Sequence, residues 1–294
     1  MDTFLQVLAS GLMLGALFAI VSIGLTLIFG IVKVVNFAHG EFLMIGMYLV
    51  YLITAKLGLH PLVTVVAVAP LLFLVGVATQ RFIIQPPSAR DDHIQIFATV
   101  GLSTALINLA LLIFGADIAN TPPGGLRMPI QIGPVRVLLG QLIILLASAA
   151  LVVGLRMFLQ RTQTGRAIRA VAQNRAAAQL MGINVNRIYM LTFGIGAACV
   201  GFAAAMVAPL YPTSPTIGTY FVLTAFVVVV LGGLGSIGGA FAGAMIIGLI
   251  DSFAGFYIGS DLREVAVFGV FLLILILKPS GLFSERLNLS HVSP

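Results

Sequence analysis

The sequence predicts an all-α polytopic membrane protein of about eight or nine transmembrane segments, some of them broken or half helices, with one short polar helix on the cytoplasmic side. Three observations carry this. Of 294 residues, 60% are hydrophobic and 8% charged, with a mean hydropathy of +1.14, whereas about a quarter of the residues in a soluble domain are charged. Apolar runs of about 20 residues, the length that crosses a hydrocarbon core of about 30 Å, recur along the chain. The 32 glycines and many alanines suit helices that associate in lipid through close backbone approach. The chain reads as a single transmembrane domain over residues 1–294.

The first run, Leu12 to Val35, is too long for a signal-peptide core and lacks a cleavage pattern, and Met1 to Ser10 has no basic segment, so the run is expected to stay as the first span. After Lys33 comes VVNFAHGEFLMIGMY, which sets Asn36, His39 and Glu41 around Gly40 at the mouth of a second stretch ending at Thr54. That stretch is short, as a broken or re-entrant helix would be. Further runs are Leu62 to Ile84, Ile94 to Phe114, Val137 to Phe158, Tyr189 to Leu210, Tyr220 to Leu234, Gly238 to Tyr257 and Val265 to Leu277. The glycines near 233–243 leave two readings for the Tyr220 to Tyr257 region: two tilted spans, or one span and a half-helix. Residues 115–136, with Pro122, Pro123, Gly124 and Gly125, form the main outer loop.

One long polar island interrupts the apolar chain: TQTGRAIRAVAQNRAAAQLMGINVNRI, residues 162–188. Thr164 can cap a helix, Ala167 to Leu180 is rich in helix formers, and Gly182 followed by Ile183 reads as a C-terminal cap, giving a helix of roughly four turns. Arg166, Arg169 and Gln173 share one face, with Ile168, Val171, Ala172 and Gln179 toward the other. Such a helix lies at the membrane surface, either as a driven element or as a solvated connector.

Charge orients the chain. With the island cytoplasmic and every run crossing, one side receives Lys33, Arg81, Arg90, Arg156, Arg161, Arg166, Arg169, Arg175, Arg187, Lys278 and Arg286, and the other only Lys56, Arg127, Arg136 and Arg263. The positive-inside rule then puts the N-terminus outside and the C-terminus inside. The net charge of +6 is spread between spans rather than gathered in a patch, which argues against nucleic acid as a partner.

No catalytic chemistry is legible. Gly233, Gly235 and Gly238 spell GxGxxG, but membrane-length apolar flanks replace the strand, turn and helix that a dinucleotide fold requires. They read instead as a helix break, with Gly235, Gly239 and Gly243 at spacing four as a packing face; direct ligand contact is the alternative. Histidines at 39, 60, 93 and 291 have no metal spacing. Cys199 sits alone in an apolar run, and Ser236 lacks the flanks of a hydrolase nucleophile. No GxxxxGK[ST] phosphate loop occurs, so this chain is expected to bind no cofactor, and any ATP that drives it is hydrolysed by another chain. Asn36, His39, Glu41 and Asp251 are the polar groups with the greatest desolvation cost, either hydrogen-bonded structurally or lining a translocation path.

VNFAHGEFLMIGMY (residues 35–48), TGRAIRAVAQNRAAAQLMGI (164–183) and LGGLGSIGGAFAGA (231–244) together resemble the inner-membrane permease subunits of bacterial branched-chain amino-acid ATP-binding-cassette transporters, the Liv H-type family. Related amide and urea permeases share much of the pattern. The resemblance implies an importer in which two permease chains, the second being a different but related one, form the path. Two cytoplasmic ATPases power it, and a periplasmic binding protein delivers substrate. It also implies that residues 162–188 are the coupling segment, with Gly165, Ala167, Arg169, Ala170 and Gly182 at the family's recurrent positions. Gln173 and Asn174 stand where the family usually has an acidic residue. From the residues alone, a secondary transporter or channel using His39, Glu41 or Asp251 is the alternative.

Overall fold

A 31-residue helix, α1 (Asp2–Val32), runs through the middle of the molecule, buried along most of its length. The structure is a computed structural model that describes residues 2–86 and 92–283. Arg90, Arg286 and His291 lie outside the described residues, as does the side chain of His93. After α1 come α2 (His39–Leu57), α3 (Val65–Thr79), α4 (Asp92–Phe114), α5 (Leu139–Arg161), α6 (Gln163–Gln173), α7 (Arg175–Leu180), α8 (Val185–Val207), α9 (Ile217–Gly232), α10 (Ile237–Tyr257) and α11 (Arg263–Leu277). The chain is an all-α polytopic membrane protein. Among the described residues seven segments are long and apolar enough to cross a membrane: α1, α2, Pro61–Ile84 (which contains α3), the Ile94–Phe114 part of α4, α5, α8 and α10. With 16 and 15 residues, α9 and α11 span only about 24 and 22 Å at roughly 1.5 Å per residue.

The membrane-length helices have no amphipathic stripe because lipid and protein interior are equally apolar, so their contacts are decided by shape. Glycine marks the closest ones. Gly11 and Gly15 of α1 meet the backbone at Leu249 and Met245 of α10, while Gly30 meets Gly235 beyond the start of that helix. This order makes the two helices antiparallel. In the same way Gly76 of α3 meets Gly194 and Ala197 of α8, and Gly201 of α8 meets Ala69 of α3. At the centre, α1 and α8 cross at Gly24 and Gly196, and α2 and α9 cross at Gly40 and Gly218. The set α1–α2–α3 is therefore arranged like α8–α9–α10, running the opposite way: α1 packs on α10 as α8 packs on α3, and α9 on α1 as α2 on α8.

The second stretch is one continuous helix of 19 residues rather than a broken one, but its start is recessed. His39 bonds the carbonyl of Val21, which lies 11 residues before the end of α1, roughly 16 Å along the axis. Residues 33–38 thus run back into the bundle without helical structure before α2 begins. The Tyr220 to Tyr257 region resolves into two helices meeting at a turn over residues 233–236.

The ends of the spans fall on two sides. The end of α1, the segment after α3, the start of α4 and the start of α8 surround α6 and α7. Opposite them, residues 115–138 contain a feature absent from the sequence reading, an antiparallel hairpin of β1 (Pro129–Ile132) and β2 (Val135–Leu138). Gly133, at φ 59°, supplies the left-handed residue that a two-residue turn needs. Gln6 clasps the hairpin to α1, its amide donating to the Arg136 carbonyl at 2.9 Å and accepting from the Arg136 N–H at 2.8 Å.

A side chain at position 24 would enter the α8 backbone, whereas Gly154 of α5 has open space around it. Gly24→Leu should cost about 3 kcal/mol or more and Gly154→Leu less than about 0.5 kcal/mol, read as the thermal midpoint of detergent-purified chain. Equal midpoints would remove the crossing from the stability argument.

Candidate functional site

The start of α2 gathers three of the four polar residues singled out by the sequence. Asn36, His39 and Glu41 are each at most 1% exposed. Asn36 closes a turn, its Oδ1 accepting from Ala38 N–H at 3.1 Å and its carbonyl from His39 N–H at 3.3 Å. His39 Nε2 lies 3.1 Å from the Val21 carbonyl; a carbonyl only accepts, so Nε2 carries the proton there and Nδ1 presents a lone pair. Glu41 falls in the first turn of α2, where the helix dipole favours an anion, and approaches Ser103 of α4 without closing a hydrogen bond. Asn36 Nδ2, His39 Nδ1, both Glu41 carboxylate oxygens and Tyr48 Oη have no partner among the described residues. A buried group of this kind costs roughly 1–3 kcal/mol when it is left without a partner.

Asp251 stands apart, across α9. Gly218 and Val222 of α9 face Gly40, while Tyr220, Leu223, Thr224 and Val227 on another face line a small cleft with Asp251 and Glu264. Asp251 is paired with Arg263 of α11, whose Nε donates to Oδ1 at 2.7 Å and whose Nη2 reaches the same oxygen. The Arg263 stem lies across Gly255 to make this reach. The sequence reading missed this partner, although 12 residues separate the two and they flank one turn.

The glycines divide by role. Gly233 and Gly235, at φ 101° and 89°, make the turn between α9 and α10, and Ser236 caps α10 by accepting from Gly239 N–H at 3.1 Å. Gly239 and Gly243 sit on α10 against Gly232 of α9. Gly235 does not continue that row: it precedes the helix and packs on Gly30 of α1.

The polar island is two helices, not one of four turns. Thr162, rather than Thr164, caps α6, its Oγ1 accepting from Gly165 N–H at 2.9 Å. Gly165 is pressed against the last turn of α5, 2.6 Å separating a would-be Cβ from Leu159 Cα. Asn174 ends α6 in an extended conformation and caps α7, accepting from Ala177 N–H at 3.0 Å. Gly182, at φ 80°, closes α7 with its N–H on the Gln179 carbonyl and that of Ile183 on the Ala178 carbonyl, both at 3.0 Å; this double bond pattern with a left-handed glycine is a Schellman cap. Ile168 and Val171 are buried in a cluster with Ile23, Leu27 and Ile31 of α1, and Ala167 and Ala172 pack on it. Arg166, Arg169, Gln173 and Gln179 are exposed and Ala170 half-buried, so Gln179 belongs with the outer face. Beyond them Leu180 and Met181 project, 89% and 81% exposed. The sequence carried a signal for these two: large apolar residues immediately before a glycine cap, in a segment otherwise polar.

Residues 7–277 match the family described as branched-chain amino acid transport system / permease component. The chain is 32% identical over 295 residues to the high-affinity branched-chain amino acid transport system permease protein BraD of Pseudomonas aeruginosa, covering 96% of each. It is 31% identical over 297 residues to the corresponding LivH of Escherichia coli K12, again 96% of each. The ribose import permease protein RbsC of Escherichia coli K12 is 34% identical over 126 residues, 40% of this chain and 39% of that one. No solved structure matches.

With side chains 10% and 39% exposed, the Asp251–Arg263 pair is partly screened. Asp251→Asn should lower stability by about 1–2 kcal/mol, and Arg263→Gln in the same chain should recover roughly 1 kcal/mol of it. Thermal unfolding of the four-member cycle checks this; strictly additive losses would mean that the pair contributes no coupling.

Proposed function

Because the chain belongs to the branched-chain amino-acid transport permease family, we propose that it is the membrane subunit of an ATP-driven importer, providing the path for branched-chain, aliphatic amino acids and receiving motion from partner ATPases through α6–α7. The observation that carries the coupling reading is the pair Leu180 and Met181, exposed at the tip of a polar segment. An exposed apolar pair on a capped turn is a feature that a partner covers. The opposite face of the segment is seated on α1 by Ile168 and Val171, so a push at the tip reaches the central helix through packed side chains rather than a slack loop. Among the described residues Arg166 and Arg169 form no ion pair and are free to meet carboxylates or carbonyls at the rim of a groove. Gly165, Ala167 and Ala170 keep the base of the segment slender, and Gly182 fixes its exit.

In this reading α6–α7 faces the cytoplasm, in keeping with the basic residues at Lys33, Arg81, Arg156, Arg161 and Arg187 on the same side. The N-terminus and the β1–β2 hairpin are then periplasmic, where a soluble receptor docks. A second, related permease subunit completes the path, and two ATPase subunits consume the ATP, leaving this chain without a cofactor. Asn36, His39 and Glu41 are proposed to lie along the path, their unpaired atoms facing the passage of a polar amino-acid backbone. Asp251, held by Arg263, braces the helices beside it.

Removing the apolar tip tests the coupling. Burial of a Leu or Met side chain contributes about 1.5–3 kcal/mol, and each 1.4 kcal/mol is about tenfold in binding. Leu180→Glu with Met181→Glu should therefore leave the permease inserted and monodisperse, lower ATPase co-purification at least tenfold, and abolish uptake of labelled leucine in reconstituted vesicles. Parental co-purification and uptake would reduce α6–α7 to a solvated connector.

A further inference from the structure

Between α6–α7 and the ends of the spans lies a cavity of about 270 Å³, close to the lower bound of about 300 Å³ for small-molecule sites. Its polar lining is Lys33, Gln80, Gln95, Gln173, Arg175 and Tyr189. No described acidic side chain lines it, so among the described residues the two cations face the space without a counter-ion. Arg175 is held at the rim with its guanidinium over the Tyr189 ring, 5.7 Å from the centroid. Lys33 sits at φ 59°, a left-handed conformation that costs a lysine about 1–2 kcal/mol.

Gln80 adds a second kind of group. It is 1% exposed, and its Oε1 has no hydrogen-bond partner. It opens a π-helical turn, Gln80–Ile84, in which Gln85 N–H donates to the Gln80 carbonyl at 2.8 Å; single π turns within helices recur at functional sites. A buried carbonyl oxygen without a donor calls for an N–H or O–H from a ligand, as the two cations call for an oxyanion.

We propose that this cavity binds a small zwitterion, its oxyanion between Lys33 and Arg175 and its ammonium donating to Gln80 Oε1. Two sources share that chemistry: a free aliphatic amino acid on the α6–α7 side, and the headgroup of an ethanolamine phospholipid reaching in from the membrane surface. Val171, Ala172 and Gln173 of α6 form one wall and Ile31 and Val32 of α1 another, so occupancy fixes the spacing between the two helices and favours the arrangement seen here. The binding claim stands apart from the coupling role of α6–α7, because its test reads binding and not uptake.

The full chain is reconstituted in nanodiscs of phosphatidylcholine alone and of phosphatidylcholine with phosphatidylethanolamine. Equilibrium dialysis against labelled leucine in the first, and native mass spectrometry of retained phosphatidylethanolamine in the second, identify the source. The Lys33→Gln, Arg175→Gln double variant changes only exposed side chains, and Gln80→Leu keeps the bulk of a buried one. Arg161→Gln, an exposed cation outside the cavity, is the control, and size-exclusion profiles check folding. Binding of at least one probe should fall tenfold or more in both the double variant and Gln80→Leu while the control matches the parent. Leucine binding in phosphatidylcholine assigns the free amino acid; phosphatidylethanolamine retention without leucine binding assigns the lipid. Absence of both, or a loss below tenfold in either variant, overturns the site.

Discussion

Backbone meeting backbone at the α1–α8 and α2–α9 crossings is the contact on which the rest of the structure depends. Helices in lipid gain nothing from hiding apolar surface from one another, so only close approach and hydrogen bonding hold them in place. Gly24 against Gly196 and Gly40 against Gly218 let four helices come within touching distance. From this follows the depth of α2: with Gly40 seated on α9, His39 is delivered to the Val21 carbonyl, and residues 33–38 must travel back into the bundle to reach it. The buried polar cluster at Asn36, His39 and Glu41 is thus a product of helix packing, and its unsatisfied atoms are tolerated because the crossing over-determines their position.

Hydropathy located the spans and could not rank them. The windows of α1 and α5 both average 2.5, yet 83% of the first is buried and 17% of the second. A lipid-facing helix and a central one are equally apolar, so the difference lies in small residues at helical spacing and in what they meet. For the same reason the sequence left the Tyr220 to Tyr257 region open, since a 16-residue apolar helix with glycines at its end fits either reading. The β1–β2 hairpin does alternate, Ile130-Gln131-Ile132 against Val135-Arg136-Val137 around Gly133 and Pro134, but strands of four residues are too short to stand out beside membrane-length apolar runs.

In the polar segment the overall placement and the glycine cap were readable, and the internal break was not. Asn174 has middling helix propensity, but its side chain competes for the backbone and ends α6 while starting α7. That one turn sends Gln179 outward and leaves Leu180 and Met181 exposed, features that a continuous helical wheel misplaces. Asp251 shows the complementary case. A lone acid in an apolar run reads as a pathway residue, and only the fold reveals that Arg263, counted as a surface cation, is its counter-ion.

The antiparallel likeness of α1–α2–α3 to α8–α9–α10 has a consequence for directionality. The two triplets share a packing pattern of opposite sense while their polar content differs, with Asn36, His39 and Glu41 in the first and Asp251 in the second. The asymmetry resides in what is inserted between and beside the halves: α6–α7 on one side, the clasped hairpin on the other. Where the packing of the two triplets repeats, the elements that tell one end of the bundle from the other are these insertions.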